Sequence, residues 1–283
     1  MLADYHVHTD YSDDSTYPME DVVTDAIEKG LDEICFTDHV DYGVKRDWDD
    51  PLGVEYHAGG PGEPERIAFA NVDYPRYVAQ IDELQARYEG RIRIKLGLEF
   101  GMQAHTIPQY QRLFSSYPFD FIILSIHEVG DKELWTQDFQ RGLTQQEYNE
   151  RYYEAKLELV RTYHDYSVLG HLDLITRYDL AGVYPFEKVR PIIEEILKVV
   201  IADGKGIEVN TSSHRYGLSD STPSEDILRL YHELGGEVIT IGSDSHAPEH
   251  LGAYLAEAQD QLRSLGYRYT CTYEGMKPTF VRL

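Results

Sequence analysis

Residues 119–127 read FDFIILSIH. From Phe119 to Ser125 the run is almost wholly apolar and does not alternate. A strand with one wet face alternates apolar and polar side chains. An unbroken run suits a strand covered on both faces, as in a parallel sheet flanked by helices. The run ends in Ser125-Ile126-His127, so a histidine stands at its C-terminal end. Residues 237–242, EVITIG, have the same character and lead into Ser243-Asp244-Ser245-His246.

Other runs read as strands: Ala3–Val7, Glu33–Thr37, Arg93–Leu98, Tyr166–Leu169 and Gly206–Val209. With Phe119–Ser125 and Val238–Ile241 they make seven. Helical patterns lie between them. Pro18 opens one carrying Val22, Val23, Ala26 and Ile27, and Gly30 closes it. Thr144-Gln-Gln-Glu147 is a capping box before Tyr148, Tyr152, Ala155 and Leu159. Pro185 starts a segment with Val189, Ile192, Ile193, Ile196, Leu197 and Val200 at helical spacing. Thr222-Pro-Ser-Glu225 caps another, and Pro248 leads the last, through Leu251, Leu255, Ala258, Leu262 and Leu265. Repeated strand–helix units imply an α/β fold with a parallel sheet, open or closed into a barrel, in a single domain over residues 1–283. Asp41 to Val72 is rich in glycine and proline and shows no periodicity; it reads as a candidate active-site lid.

The formal net charge of −24 disfavours a nucleic-acid surface and suits a protein that binds cations. Cys35 and Cys271 form no disulfide framework, and Cys35 reads as a small buried hydrophobe. No leader pattern and no run of 18 apolar residues occurs, so we expect a soluble cytoplasmic protein with no membrane partner.

The C-terminal ends of the strands carry the chemistry. They read His6-Val7-His8, Thr37-Asp38-His39, Gly97-Leu98-Glu99, Ser125-Ile126-His127, Gly170-His171-Leu172-Asp173, Glu208-Val209-Asn210 and Gly242-Ser243-Asp244-Ser245-His246. In a parallel barrel these ends share one face, where active sites sit. One histidine after an apolar run is ordinarily a satisfied, half-buried residue. Six strand ends with histidine or acid are different, because a cluster of imidazoles and carboxylates with nothing between them repels and desolvates itself. The candidate ligands are His6, His8, Asp14, His39, Glu99, His127, His171, Asp244 and His246. These nine are too many for one divalent ion and fit two or three. Mixed nitrogen and oxygen donors without thiolate suit zinc, manganese or iron. Glu99 is a candidate bridge between two ions.

In this order DYHVHTDYS, TDH, GLEF, SIH, GHLD and GSDSH resemble the PHP (polymerase and histidinol phosphatase) superfamily over residues 4–246. ICFTDHVDYG, YSVLGHLDLITRYD and EVNTSSHRYGL look like its stand-alone histidinol-phosphate phosphatases. The resemblance implies a distorted (β/α)7 barrel, a trinuclear metal centre, and hydrolysis of L-histidinol phosphate to L-histidinol and phosphate in histidine biosynthesis. It places His6, His8, Glu99 and Asp244 around one ion, Glu99, His127 and His171 around a second, and Asp14, His39 and His246 around a third. Glu99, Asp244 and His246 carry the catalytic roles in this reading. Many members have histidine where this chain has Asp14, and others use the preceding position, here Asp13. Asp14 is the preferred ligand, and it favours harder ions.

Metal ions can supply a water nucleophile and neutralise phosphoryl charge, and no GxSxG, Cys-His pattern or P-loop argues for another chemistry. Arg177 and Arg215 follow the fifth and sixth strand ends and are the expected grips on the substrate phosphate. Asn210 and His214 are weaker candidates. Asp41 and Asp173 are candidates to pair with the substrate amine. Asp4, Asp38 and Asp173 are candidates to orient metal-bound histidines. His57, His105, His164, His232 and His250 fall outside the motifs. Two rival readings are a PHP-type phosphoesterase for another small phosphoester or nucleotide, and a non-catalytic metal-binding PHP module. The acidity argues against a nucleic-acid substrate, and the intact ligand positions argue against the silent module.

Overall fold

A computed structural model describes residues 1–58 and 65–283. The chain begins with β1 (Ala3–Val7), α1 (Met19–Glu28), β2 (Glu33–Phe36) and a short β3 (His39–Val40). An antiparallel hairpin follows, β4 (Glu55–Ala58) with β5 (Arg66–Phe69). Then come α2 (Tyr74–Arg87), β6 (Arg93–Gly101), α3 (Ile107–Ser116), β7 (Phe121–Ser125), α4 (Gln145–Thr162) and β8 (Val168–Leu169). The last units are α5 (Phe186–Ala202), β9 (Gly206–Asn210), α6 (Glu225–Glu233), β10 (Ile239–Gly242) and α7 (Leu255–Ser264). A C-terminal hairpin of β11 (Tyr269–Glu274) and β12 (Lys277–Arg282) ends the chain.

The parallel strands pair in the order β1-β2-β6-β7-β8-β9-β10. A bridge between Val7 and Ser245 brings the two ends of the sheet together, with His8 N–H donating to Ser245 O at 2.8 Å and Ser245 N–H to His6 O at 3.2 Å. The result is a nearly closed barrel of seven strands, distorted where β8 has shrunk to two residues. This is the (β/α)7 architecture that the resemblance implied.

Two apolar layers hold it. The outer one lies between strands and helices, with Val22 and Val23 of α1, Tyr77 and Ile81 of α2, and Ile193, Ile196 and Leu197 of α5 buried there. Alternate strand residues face inward. Tyr5, Cys35, Phe121, Ile123 and Val168 fill the N-terminal end of the barrel, and Cys271 and Tyr273 of β11 plug it. The Tyr273 N–H donates to Tyr5 Oη at 2.6 Å. A cleft opens at the opposite end, lined by strand-end residues such as His39, Glu99, His127, His171 and Asp244.

Local signals decide the helix ends. The Thr144–Glu147 capping box forms as read, Pro18 and Pro185 sit at the N-caps of α1 and α5, and Cys35 is buried. Four local readings need correction. The strand read as Arg93–Leu98 continues to Gly101, so Glu99 lies inside β6 and pairs on both sides, with β3 and β7. Ser224, not Thr222, holds the N-cap position of α6, and its side chain makes no capping hydrogen bond. Residues after Pro248 form turns, and α7 starts only at Leu255, after Tyr254 in a left-handed conformation (φ 59°). Helices α2 and α3 and the final hairpin were not read from the sequence. The lid expected over Asp41–Val72 contains the β4–β5 hairpin, and its residues 59–64 lie outside the described residues.

Candidate metal centre

The nine candidate ligands converge at the open end of the barrel. Glu99, fully buried, is the hub. Its Oε2 lies 2.9 Å from His39 Nδ1, 3.3 Å from His6 Nε2 and 3.7 Å from His8 Nε2. Its Oε1 lies 2.8 Å from His171 Nε2 and 3.2 Å from His127 Nε2. Asp244 Oδ1 sits 3.5 Å from His8 Nε2, and 3.7 Å from both His6 Nε2 and His246 Nδ1. Asp14, on the rim, reaches His39 Nε2 at 3.4 Å and His246 Nε2 at 3.2 Å. Asp13 points elsewhere, to Lys45 Nζ at 2.6 Å. Of the two adjacent aspartates, Asp14 is therefore the one beside the imidazoles.

A bulge lets β1 deliver its two histidines. The β1–β2 register shifts between Asp4 and Val7. Tyr5 and His6 both contact the barrel interior, Tyr5 in the apolar plug and His6 beside Glu99, as an extra residue in a bulge allows. Gly242 makes room above: a Cβ there would stand 2.3 Å from His6 Cβ and 2.6 Å from Glu208 Oε1. At the turn beyond β10, Asp244 adopts a left-handed backbone (φ 55°), an uncommon state for a non-glycine residue at a polar site.

The partners of the imidazoles fix which nitrogen faces the centre. His6 Nδ1 lies 2.5 Å from Glu208 Oε1, His127 Nδ1 2.8 Å from Asp41 Oδ1, and His246 Nδ1 2.9 Å from the Asp244 carbonyl oxygen. Each Nδ1 has an acceptor of its own, so each ring turns Nε2 toward the cluster, where it can carry a proton or bind an ion. That pattern orients histidine ligands in metal sites. Within the cluster His6 Nε2, His8 Nε2, His39 Nδ1 and Glu99 Oε2 are buried without a hydrogen-bond partner among the described residues. Lone pairs facing carboxylate oxygens at these distances need a proton or a cation between them. The donor set therefore fits divalent ions.

Electrostatics agree. Burial would raise the Glu99 carboxyl, but His6, His127 and His39 hold it well below the usual range. Burial, with His246 and His39 nearby, keeps His8 well below an ordinary imidazole, and burial likewise lowers His171. Burial opposes protonation of His6, yet Glu208, Glu99 and Asp244 raise it well above normal. Protons and ions compete for the same lone pairs, so ion binding releases protons.

Sequence reading missed two residues that bond these histidines. Glu208 lies in the middle of β9, whose end was read as lacking a ligand-type side chain. Its Oε1 meets His6, and its Oε2 accepts the His171 N–H at 2.9 Å. Asp41, a candidate partner for the substrate amine, has its two oxygens on His127 and, at 2.8 Å, on Lys45 Nζ. Burial would raise the Asp41 carboxyl, and Lys45 and His127 more than reverse that. Asp38 acts at one remove, accepting from Ser12 Oγ at 2.7 Å, with Ser12 3.4 Å from His8 Nδ1. Asp4 accepts from Ser243 N–H at 2.8 Å and Gly252 N–H at 3.0 Å, and Asp173 from Ser224 N–H at 2.9 Å. Neither Asp4 nor Asp173 bonds a histidine side chain.

Above the cluster opens a cleft of about 530 Å³, within the range of small-molecule sites. Arg177 and Arg215 line it. Arg177 Nη2 lies 3.4 Å from Asp244 Oδ2, bonds Ser212 Oγ, and its guanidinium stacks 4.2 Å from the Tyr216 ring. Arg215 donates to Ser243 O at 2.7 Å and lies 3.7 Å from Asp244 Oδ2. Asn210 does not line the cleft; it is buried, and its side chain accepts the Ser212 N–H at 3.0 Å. His214 stacks on Tyr254 at 4.2 Å outside the cleft, whereas His250 lines it. Among the described residues no helix is long and apolar enough to cross a membrane.

A family model for the PHP domain matches residues 4–212. The histidinol-phosphatase of Lactococcus lactis subsp. lactis is 33% identical over 284 residues, covering 97% of this chain and 95% of its own. The probable histidinol-phosphatase of Deinococcus radiodurans is 26% identical, covering 98% of each. The crystal structure of the Lactococcus histidinol phosphate phosphatase, complexed with zinc, L-histidinol and phosphate, matches with a TM-score of 0.82 at 32% identity over 98% of both chains. A putative histidinol phosphatase of Listeria monocytogenes shares the fold, with a TM-score of 0.70 at 20% identity, covering 90% of this chain and 99% of its own.

Proposed function

The chain belongs to the PHP domain family, and from that premise we propose that it hydrolyses L-histidinol phosphate to L-histidinol and phosphate at a centre of two to three divalent ions. It is a phosphomonoester hydrolase. The observation that carries the reading is the placement of two arginines on the wall of a cleft whose floor is nine converging donors.

His6, His8, Glu99 and Asp244 would hold one ion, Glu99, His127 and His171 a second, and Asp14, His39 and His246 a third. Nitrogen and oxygen donors without thiolate fit zinc, manganese or iron. Ions bound there supply Lewis acidity toward the phosphoryl oxygens and toward an attacking water. The chain's own residues do the rest. Glu208, Asp41 and the Asp244 carbonyl keep the protons of His6, His127 and His246 on Nδ1. Glu99 spans the cluster with both oxygens. Arg177 and Arg215 lie beside Asp244 and present guanidinium forks to a phosphate over the floor. Leu134, Leu174, Phe69 and Trp135 form apolar parts of the wall and reduce the water around the ester.

The test is phosphate release from L-histidinol phosphate by the purified protein, after chelation and again with zinc, manganese or iron restored. A nucleoside monophosphate and single-stranded DNA serve as competing substrates. Metal-dependent turnover with preference for histidinol phosphate is expected. No turnover with any metal, in a folded protein shown to bind ions, overturns the substrate assignment.

A further inference from the structure

We infer that Lys45 is a positioning residue: its ammonium ties the loop after β1 to the end of β7 and so holds the second and third ion sites in register. This rests on the reading of a centre of two to three ions. The contacts form one chain across the mouth of the barrel. Lys45 Nζ lies 2.6 Å from Asp13 Oδ1 and 2.8 Å from Asp41 Oδ2. Asp41 Oδ1 in turn lies 2.8 Å from His127 Nδ1, and His127 Nε2 faces Glu99. On the other arm, Asp13 is the chain neighbour of Asp14, which reaches His39 and His246. Lys45 thus pairs with two carboxylates outside the nine donors, and each of them leads to a donor.

The brace is built into the fold. The side chains of Lys45 and Asp13 are each 9% exposed and that of Asp41 is 4% exposed, so these are buried pairs, whose loss is felt, rather than solvated ones. Backbone contacts fix the turn that carries Lys45. Lys45 N–H donates to Asp41 O and Asp41 N–H to Asn71 Oδ1, both at 2.9 Å, and Asn71 N–H donates to Arg46 O at 2.8 Å. Gly43 in this turn takes φ 108°, and a Cβ there would stand 2.6 Å from Asp131 Oδ1 and 2.8 Å from Gln103 Nε2. The turn is therefore pressed against residues that follow β6 and β7. Asp13 and Asp14 are adjacent carboxylates; Lys45 engages Asp13 and leaves Asp14 to the imidazoles. The ammonium has two effects of opposite sign on the ions. Its charge repels a nearby cation. Its bonds keep Asp41 on His127 and the loop after β1 in place, which orients donors. Without Lys45, Asp13 and Asp41 are buried carboxylates that repel each other and turn apart. Removal of Lys45 separates the two effects: charge alone would tighten the ions, and loss of the brace loosens them.

The experiment dialyses wild type, Lys45→Met and the charge-balanced double variant Lys45→Met/Asp13→Asn against graded zinc or manganese and counts bound metal by mass spectrometry. The double variant removes one positive and one negative charge, so a change in its ion affinity is not an effect of net charge. It also leaves one buried carboxylate fewer without a partner, and it decides the matter if Lys45→Met does not fold. Phosphate release from L-histidinol phosphate is measured in parallel. Wild type is expected to bind more than one ion per chain. Both variants should keep one tight ion and hold the rest roughly 10- to 100-fold more weakly. Their kcat should fall at limiting metal and recover at least partly in excess metal, while KM at full metal content stays within about threefold of wild type. Ions held as tightly as in wild type, or more tightly, would overturn the inference. A KM that rises at full metal content would overturn it as well and place the ammonium on the substrate. A wild type that binds a single ion, or none, would instead overturn the reading of the centre, and this inference with it.

Discussion

Replacing Glu208 by glutamine tests whether a buried carboxylate sets the proton position on His6. Both oxygens of Glu208 accept. Oε1 faces His6 Nδ1 at 2.5 Å, and Oε2 accepts from His171 N–H at 2.9 Å and Asn210 Nδ2 at 3.3 Å. Glutamine turns one of these acceptors into a donor. If its NH2 faces His6, the ring must offer a lone pair at Nδ1 and carry its proton on Nε2, which removes the lone pair aimed at Glu99 and Asp244. If the NH2 faces His171 N–H, two donors meet in a fully buried place. A hydrogen bond to a charged acceptor is worth about 1.5–3 kcal/mol. At about 1.4 kcal/mol per tenfold, that is a roughly 10- to 100-fold loss in affinity for the ion that His6 holds. The same range is typical when an orienting partner of a metal-bound histidine is lost. Equilibrium dialysis of both proteins against graded zinc or manganese, with bound metal counted by mass spectrometry, reads the affinity. Phosphate release at limiting metal should fall in parallel and recover partly in excess metal. Denaturant melts of the chelated proteins report any loss of fold separately. A folded variant that binds metal and turns over within about threefold of wild type would refute the reasoning.

Three further outcomes follow from other parts of the structure. Arg177→Ala should lower kcat/KM for histidinol phosphate by roughly 100-fold, as loss of a charge-stabilising donor does, and weaken inhibition by phosphate; a change below threefold would count against the grip. Gly101→Ala should disrupt the Asp41–His127 pair, because a Cβ there would lie 1.9 Å from Asp41 Oδ1 and 2.6 Å from His127 Nδ1. We expect about 1–3 kcal/mol of destabilisation and loss of bound metal, both read from melts and metal analysis; full metal content would refute it. Lys156 in α4 is buried, its Nζ has no hydrogen-bond partner among the described residues, and burial pushes its ammonium down to about 7. The unfolded chain, with the ordinary 10.5, binds the extra proton between those values, so stability rises with pH across that window. Lys156→Met should therefore stabilise by about 1–4 kcal/mol below pH ~7, with the gain shrinking as pH rises toward 10. Melts across pH would refute it if the variant gained nothing at pH ~6.

The ligand residues were legible because each stands where a buried apolar run stops, and a polar side chain there points at the open face. Their partners were less so. Glu208 sits inside the run GIEVN, where strand reading looks for apolar residues and discounts a lone acid. The available signal was that acid itself, since a charge within a buried strand requires a partner. Asp41 reads as a candidate for the substrate amine and not as a partner of His127, because His127 lies 86 residues on and nothing local joins them. Helices α2 and α3 passed unread. Asp73 stands at the N-cap of α2 and its side chain accepts the Arg76 N–H, and the helix carries a proline in its first turn. Both features are helix-start signals, yet the preceding glycine-rich stretch suggested a long loop. Helix α3 likewise has its proline in the first turn, hidden after a strand three residues longer than the apolar run implied.

Strict alternation along β1 would group His6 and His8 with Asp4 and send Tyr5 to the opposite face. The bulge breaks that grouping. Asp4 turns toward Ser243 and Gly252, while Tyr5 and His6 both enter the barrel. A five-residue strand thus supplies the apolar plug and the metal floor from neighbouring positions. Beneath Glu99 and Glu208 lies packed hydrocarbon from Tyr5, Phe121, Ile123 and Tyr273 rather than solvent. Charges facing such a floor are screened from one side only, so their mutual repulsion and their attraction for a cation are both larger than at an open surface. Cys271 and Tyr273 of β11 pack against Tyr5, Phe121 and Ile123 and close that floor from below.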